Sequence, residues 1–232
     1  MKTFVKQNKL ICGLFIWAII FAGIYIRINR MPEAFYLGKE LMDFFYGLAL
    51  SIIAASVFYV FQVYLPERRR RKIIKSHFEK IYNEIKEVII FEFLVAIGRQ
   101  DKKVNELMTF EGFKHFFSEP SGEPMQDNWH RVLNTYESNR LYFSDLCKEL
   151  SQLKSEISFL INNLEISDEN SLSFFSRLSG ELERVKSIGE NKDEYDCDYK
   201  IFWRFLYELF SGWDCVNGQR ETDIIKDMIN KI

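Results

Sequence analysis

Two long stretches without a charged side chain stand near the beginning of this chain of 232 residues. Leu10 to Ile26 and Phe44 to Leu65 contain no Asp, Glu, Lys or Arg. A helix that spans a bilayer needs about 20 mostly apolar residues, because each residue advances about 1.5 Å through a hydrocarbon core of about 30 Å. The second stretch has this length by itself, and the first reaches it when Ile28 and the snorkelling side chains of Arg27 and Arg30 are included. The sequence therefore predicts an integral membrane protein with most of its mass outside the bilayer.

The distribution of basic residues predicts how the two spans are oriented. If both chain ends lie in the cytoplasm, nine basic residues near the spans lie inside and three lie outside. Cytoplasmic segments carry the excess of Lys and Arg, so we expect a multi-pass membrane protein, N-in and C-in. The predicted segments are a cytoplasmic N-terminus (1–9), transmembrane helix 1 (10–30), an external loop (31–43), transmembrane helix 2 (44–65) and a cytosolic helical domain (66–232).

A cleaved signal peptide is the alternative interpretation of the N-terminus. The chain begins with basic residues followed by an apolar run, as a signal peptide does. This run is longer than the apolar region of about 7–15 residues that is typical of a signal peptide, and no small-x-small cleavage site follows it. We therefore expect the first span to remain attached as a signal anchor.

The charges are divided unevenly between the two parts of the chain. Residues 1–72 carry a net charge of +7 and the whole chain carries −2, so residues 73–232 carry −9. Such an acidic domain is not expected to bind nucleic acid directly, because this binding needs a basic face. The basic residues gather instead at Arg68, Arg69, Arg70, Arg71 and Lys72. This run is a topology signal, and it is also predicted to contact anionic lipid headgroups at the membrane surface.

The part of the chain after Lys72 is predicted to be helical almost throughout. Apolar residues at steps of three and four form a stripe from Ile74 to Val88, and Gly98 is a candidate helix C-cap. A second stripe alternates steps of four and three in the manner of a coiled-coil seam, predicted to pack within the chain or against a partner helix. This cytosolic helix seam consists of Leu146, Leu150, Leu153, Ile157, Leu160 and Leu164.

A polar turn follows the seam, and another apolar stripe runs from Leu172 to Val185. Two such stripes joined by a short turn predict an antiparallel pair of helices. The predicted fold class is therefore all-α, with a two-span transmembrane helical hairpin followed by a cytosolic helical-bundle domain.

The sequence carries no recognisable catalytic or metal-binding motif. It has no Gly-rich phosphate loop, no GxSxG, no HExxH and no CxxC, and its three histidines lack a second ligand at metal spacing. We therefore predict no enzyme activity, no catalytic residue, no metal site and no cofactor. Within the spans Gln62 is the one strongly polar side chain, which argues against a selective transporter or pump.

Small residues at helical spacing mark one face of each predicted span. Gly47, Ser51 and Ala55 follow one another at steps of four in the second span, and Ala18 and Ala22 do so in the first. Small residues at this spacing allow two helix backbones to approach closely. These faces pack either the two spans of one chain together or the spans of different chains. Two helices cannot enclose a water path, so the second alternative is a condition for any pore.

The run from Ser51 to Lys72, followed by an acidic helical domain, resembles small two-span membrane proteins of bacteria. It is similar in particular to the two-span effector of retron-type antiphage defence systems. This resemblance implies a protein that a partner keeps silent and that damages the inner membrane upon infection. The partner would be a cytosolic protein or a ribonucleoprotein.

Two functions follow as hypotheses. The first is an inner-membrane effector of an abortive-infection system, whose spans self-associate and perturb the lipid bilayer when a cytosolic partner releases or triggers it. The second is a membrane-anchored scaffold or regulatory subunit, in which the spans only tether a helical domain that binds a partner protein.

Overall fold

The computed structural model describes residues 9–28, 38–120, 126–190, 196–214, 218–219 and 223–232. These residues are almost entirely helical, which confirms the predicted all-α class. The chain divides into two compact units, Met1–Arg71 and Lys72–Ile232. The elements are α1 (Lys9–Ile28), α2 (Gly38–Tyr59), a π-helix (Val60–Tyr64), α3 (Leu65–Ala96), α4 (Val104–Leu107), α5 (Phe110–Phe117), α6 (Asn128–Ser138), α7 (Arg140–Asn163), α8 (Glu169–Glu190), α9 (Asp196–Ser211), β1 (Trp213–Asp214), β2 (Gly218–Gln219) and α10 (Ile224–Lys231).

The first unit contains two helices that are long and apolar enough, by length and composition, to cross a membrane. They pack antiparallel, because residues late in α1 contact residues early in α2. The ring of Tyr25 stacks on that of Tyr46 with 4.2 Å between centroids, and Phe21 meets Phe45 edge to face at 6.2 Å. Helix α2 begins at Gly38, so the last six residues of the predicted external loop are helical.

The π-helix explains how one helical path passes Pro66 without a break. Proline lacks an N–H donor, and its ring clashes with the carbonyl group four residues earlier in a regular α-helix. Just before it, the Leu65 N–H donates to the Val60 carbonyl oxygen, five residues back, which is the spacing of a π-turn. The wider turn accommodates the proline by displacing the clashing carbonyl group. The helical path therefore continues through Pro66 with one locally widened turn.

Helix α3 buries one apolar stripe in the core of the second unit. Ile74, Phe78, Ile85, Ile89 and Phe93 are all buried along it. The predicted stripe was wrong at its last position: Val88 is 40% exposed, because the buried face continues from Ile85 to Ile89.

The end of α3 is formed by a glycine in the left-handed region. Gly98 has φ +68°, and the Arg99 N–H donates to the Leu94 carbonyl oxygen at 2.9 Å. This arrangement closes the helix as the C-cap prediction expected, since glycine adopts such a φ without a Cβ clash.

Helices α7 and α8 form the predicted antiparallel pair. The turn between them is short, and the Asp168 carboxylate caps α8 by accepting from the Ser171 N–H at 2.8 Å. Lys154 and Glu183 form an ion pair between the two helices. Phe175, on the apolar stripe of α8, is fully buried.

An aromatic cluster fills the space between α3 and the shorter helices. The Phe93 ring contacts aromatic rings from α5, α6 and α9 at centroid distances between 5.5 and 6.5 Å. These neighbours are Phe117, Trp129, Tyr136, Trp203 and Phe210. Beyond α9, the two-residue strands β1 and β2 pair antiparallel, a feature that the sequence did not predict.

Candidate functional site

The two small-residue faces of the apolar helices lie in different environments. Ala18 is fully buried and Ala22 half-buried on α1. Gly47, Ser51 and Ala55 are exposed on α2. The sequence left open whether these faces pack within or between chains. In the structure, the small residues of α1 are covered and those of α2 are not.

Helix α2 packs against α1 through the face opposite to its small residues. Ala49 is fully buried there, and Ile53 and Ser56 are half-buried along the same side. A Cβ atom added at Gly47 would meet nothing within 4 Å. The face formed by Gly47, Ser51 and Ala55 is therefore open within the first unit; it is called the open face below.

The hydroxyl group on the open face does not need an external partner. Ser51 Oγ donates to the Gly47 carbonyl oxygen at 2.9 Å, a bond within the same helix turn. A satisfied hydroxyl group between two small residues leaves a shallow surface with little polarity. Such a surface allows close contact with another helix backbone in an apolar solvent.

Aromatic and carboxylate side chains hold α1 and α2 together at one end. Tyr25 stacks on Tyr46, and its hydroxyl group donates to the Asp43 carboxylate. Tyrosine at the end of an apolar helix is typical of a membrane–water interface. This contact was not predicted from the sequence, although Tyr25 and Asp43 stand at facing ends of the two uncharged stretches.

At the other end of the pair, α1 and α2 separate around a cleft of about 190 Å³. The side chains that line it include Ile11, Cys12 and Phe15 from α1, and Ser56, Val57 and Val60 from α2 and the π-helix. These side chains are apolar except at the cysteine sulfur and the serine hydroxyl group, and the latter donates to the Ile52 carbonyl oxygen at 2.7 Å.

The predicted membrane-surface run is divided by one acidic residue. The Glu67 carboxylate lies 3.8 Å from a guanidinium nitrogen of Arg70 and 3.3 Å from Nε of Arg71. Arg68 and Arg69 are exposed and form no ion pair within the described part of the chain. The i+3 and i+4 spacing from Glu67 already indicated this division in the sequence.

Lys72 completes the predicted run and begins the second unit. Its side chain is exposed, like those of Arg68 and Arg69, and it too lacks an ion pair among the described residues. Among the described residues, three of the five basic side chains therefore form no ion pair and two share Glu67.

The cytosolic helix seam lies inside the second unit. All six of its residues are at most 4% exposed: Leu146, Leu150, Leu153, Ile157, Leu160 and Leu164. The seam therefore packs within the chain, and a surface that binds a partner helix would have to lie elsewhere on the domain.

A buried ionic cluster joins the two ends of the second unit. The Asp223 carboxylate accepts from the Tyr82 hydroxyl group at 2.8 Å and from Lys86 Nζ at 3.2 Å. It also caps α10 by accepting from the Ile225 N–H at 3.0 Å. Lys86 Nζ lies 5.2 Å from the centroid of the Phe110 ring, within cation–π distance.

Burial dominates the acid–base behaviour of this cluster. It lowers the pKa of Lys86, and the neighbouring Asp223 carboxylate opposes that effect. Burial also raises the pKa of Tyr82 well above its ordinary value, and the negative charge of Asp223 adds to this. The cluster links α3 to the start of α10 through the buried ion pair of Lys86 and Asp223.

Glu92 is another strongly perturbed group among the described residues of the second unit. Burial, together with the charges of Glu149 and Asp145, raises the pKa of Glu92 to about 7. Its Oε2 atom is buried and has no hydrogen-bond partner.

Among the residues that the structure describes, no group of three or more His, Cys, Asp or Glu side chains could hold a metal ion. Each histidine side chain lies beside one carboxylate: His77 beside Glu156, His115 beside Glu119 and His130 beside Asp127.

No family model, curated protein or solved structure matches this chain.

Proposed function

We propose that this protein is an inner-membrane effector of a bacterial antiphage (abortive-infection) system, of the kind implied by the resemblance to retron effectors. Helices α1 and α2 cross the bilayer as a hairpin with both chain ends in the cytoplasm. The second unit binds a cytosolic protein or ribonucleoprotein that keeps the effector silent. Release or triggering lets the hairpins of several chains assemble, and the membrane loses its potential.

The observation that carries this proposal is the position of the open face. If Gly47, Ser51 and Ala55 had packed against α1, the hairpin would have used its small residues internally. They lie on the outside of the pair, where another chain can reach them. Helices in lipid associate through close packing of small residues, since there is no hydrophobic driving force between them.

A substitution at Gly47 tests the assembly step. Gly47→Leu places a large side chain on the open face without touching α1, because no atom lies within 4 Å of the added Cβ. We expect this variant to lose depolarisation and cross-linked oligomers. Gly13→Leu is the matched control, since Gly13 is also exposed and its added Cβ also meets nothing. It should behave as the wild type does.

The measurement is the membrane potential of cells, followed with a voltage-sensitive dye. The chain is expressed with and without its neighbouring genes, under conditions that trigger the system. An unchanged potential in the triggered wild type would rule out the effector function. Equal effects of Gly47→Leu and Gly13→Leu would rule out the open face as the assembly surface.

A membrane-anchored scaffold or regulatory subunit is the second candidate. It is supported by the second unit, which has its own continuous core of buried residues. Here the hairpin would only tether the domain. Replacing residues 1–65 with an unrelated two-span hairpin of the same orientation distinguishes the two candidates. The scaffold retains its activity after this exchange, and the effector loses its activity.

A further inference from the structure

The cleft between α1 and α2 is an apolar site that opens at the surface of the first unit. Val57 and Phe61 line it and are 44% and 64% exposed. Its two polar groups offer little to a polar ligand, because the Ser56 hydroxyl group is bonded to its own helix and the thiol of Cys12 is a weak donor. A ligand of this cleft must therefore be apolar where it enters.

The same helical path carries unpaired positive charge a short distance further on. Leu65 follows Phe61 by four residues, and Arg68 and Arg69 follow Leu65 by three and four, so both arginines lie on the Leu65 side of α3. Arg68 lies eight residues beyond Val60, or about 10–12 Å along the axis, because the π-helix rises less per residue than an α-helix.

Glu67 directs the remaining arginines of the first unit to another side. Arg70 and Arg71 lie three and four residues after Glu67, and both approach its carboxylate. Their charge is therefore partly compensated, while Arg68 and Arg69 form no ion pair within the described residues. An anion would meet the strongest attraction at Arg68 and Arg69, on the Leu65 side of α3.

We propose that this arrangement binds one anionic phospholipid of the cytosolic leaflet. Part of one acyl chain lies in the cleft, and the phosphate group contacts Arg68 and Arg69. The separation fits, because the headgroup layer is about 5–8 Å thick on each side of the hydrocarbon core. A group about 10–12 Å below the phosphate is therefore in contact with the acyl chain. Guanidinium groups suit phosphate because they donate two hydrogen bonds in a fixed geometry.

The lipid site rests on the proposed insertion of α1 and α2 in a bilayer. It goes beyond that proposal in naming one site, one ligand class and the residues that select it. A diffuse attraction between a basic run and anionic headgroups would treat all five cations alike. The site treats Arg68 and Arg69 differently from Arg70 and Arg71, although the four stand side by side in the sequence.

The test uses the full chain, reconstituted in mixed phosphatidylglycerol and phosphatidylcholine vesicles with identical acyl chains. After extraction in mild detergent, native mass spectrometry counts the lipids of each kind that stay bound. We expect the wild type to retain one phosphatidylglycerol. Arg68→Gln with Arg69→Gln should reduce the preference for this lipid about 10- to 30-fold, since each basic residue near a surface contributes about 1 kcal/mol. Arg70→Gln with Arg71→Gln changes the charge equally and should reduce the preference less than about threefold.

A second pair of variants tests the cleft. Val57→Phe fills it and should reduce retention of both lipids about tenfold. Val63→Phe makes the same change at a side chain that is similarly exposed but does not line the cleft, and retention should not change. Equal losses for the two arginine pairs, or for the two valine variants, would overturn the lipid site.

Failure of this proposal can be separated from failure of the proposed membrane location. Before extraction, the vesicles are floated on a density gradient. A chain that does not float overturns both the insertion and the lipid site. A chain that floats and retains no phosphatidylglycerol selectively overturns the lipid site alone. Both arginine variants keep basic residues after the second span, so their orientation should be that of the wild type.

Discussion

The two units of this protein use apolar side chains in opposite ways. In the first unit, large apolar residues point outward: Leu10, Phe44 and Phe58 are 75%, 66% and 64% exposed. In the second unit, Phe93 and Phe113 are fully buried. Outward apolar residues in such numbers are expected of helices whose solvent is lipid, and inward ones are expected of a domain in water.

The two units are also held together by different contacts. Helices α1 and α2 meet through aromatic stacking at one end and through Ala18 and Ala49, which are fully buried. The second unit is organised around a continuous aromatic core and a buried ionic cluster. Removal of one contact should therefore lower the free energy of unfolding most in the second unit, where the transfer of apolar surface out of water provides the stability.

The largest effect is expected at Phe93, the centre of the aromatic cluster. Phe93→Ala removes a fully buried ring that contacts five others and leaves a cavity. Substitutions of this kind cost about 3–5 kcal/mol of the free energy of unfolding. The measurement is urea unfolding of the detergent-solubilised chain, followed by tryptophan fluorescence.

Two controls locate this effect. Phe91→Ala changes a residue on the same helix that is 50% exposed, and its cost should be within about 0.5 kcal/mol. Phe58→Ala makes the same change on the outward face of α2 and should leave the urea transition unchanged. A cost at Phe91 equal to that at Phe93 would contradict the assignment of the core.

A smaller loss is expected at Asp223, which joins α10 to α3. Asp223→Ala leaves the charge of Lys86 buried without a partner, an arrangement that costs about 3 kcal/mol or more. It also removes the N-cap of α10, which contributes about 1 kcal/mol. Water that reaches this end of α10 should offset part of the total loss. A net loss of about 2–4 kcal/mol should appear in the same unfolding experiment.

Two further variants separate the charge of Asp223 from its capping. Asp223→Asn keeps an N-cap acceptor and should lose less than Asp223→Ala. Lys86→Met added to Asp223→Asn removes the uncompensated charge and should restore part of the stability. Hydrogen exchange should show faster opening of α10 in Asp223→Ala; unchanged protection there would contradict the role of this cluster.

The sequence predicted the elements of both units better than the contacts between distant residues. The seam from Leu146 to Leu164 was recognisable because its spacing is local, and all six residues are buried. Val88 was placed in the wrong stripe, since steps of three and of four both fit an α-helix and only the packing decides between them. The π-helix before Pro66 was not predicted, because periodicity does not reveal a single widened turn.

The site was less predictable than the fold. The small residues were identified, but a helical stripe alone does not tell which side faces the partner helix. The pair between Lys86 and Asp223 joins residues 137 positions apart. A lysine on the buried face of α3 was the one signal for it, because a buried lysine requires a partner. The division of the basic run by Glu67 was readable from the spacing.

The smallest effect concerns pH and tests the half-buried carboxyl group of Glu92. Its pKa is raised from 4.5 to about 7 in the folded protein. The folded state therefore binds the proton more tightly than the unfolded state, so the charged form destabilises the fold. This penalty is absent below pH 4.5, grows between pH 4.5 and 7 and is complete above pH 7.

Glu92→Gln removes that penalty, so the variant should be more stable than the wild type at pH 8 and similar to it at pH 4.5. A shift of this size in a fully buried group corresponds to about 3 kcal/mol, and half-exposure reduces the expected difference to about 1 kcal/mol. Urea unfolding at several pH values measures it. Glu87→Gln, at an exposed position of the same helix, should give a curve parallel to that of the wild type. If the curve of Glu92→Gln is also parallel, the unpartnered Oε2 atom is hydrated in solution. Water then reaches the interior of the second unit beside α7 more readily than it reaches the aromatic core around Phe93.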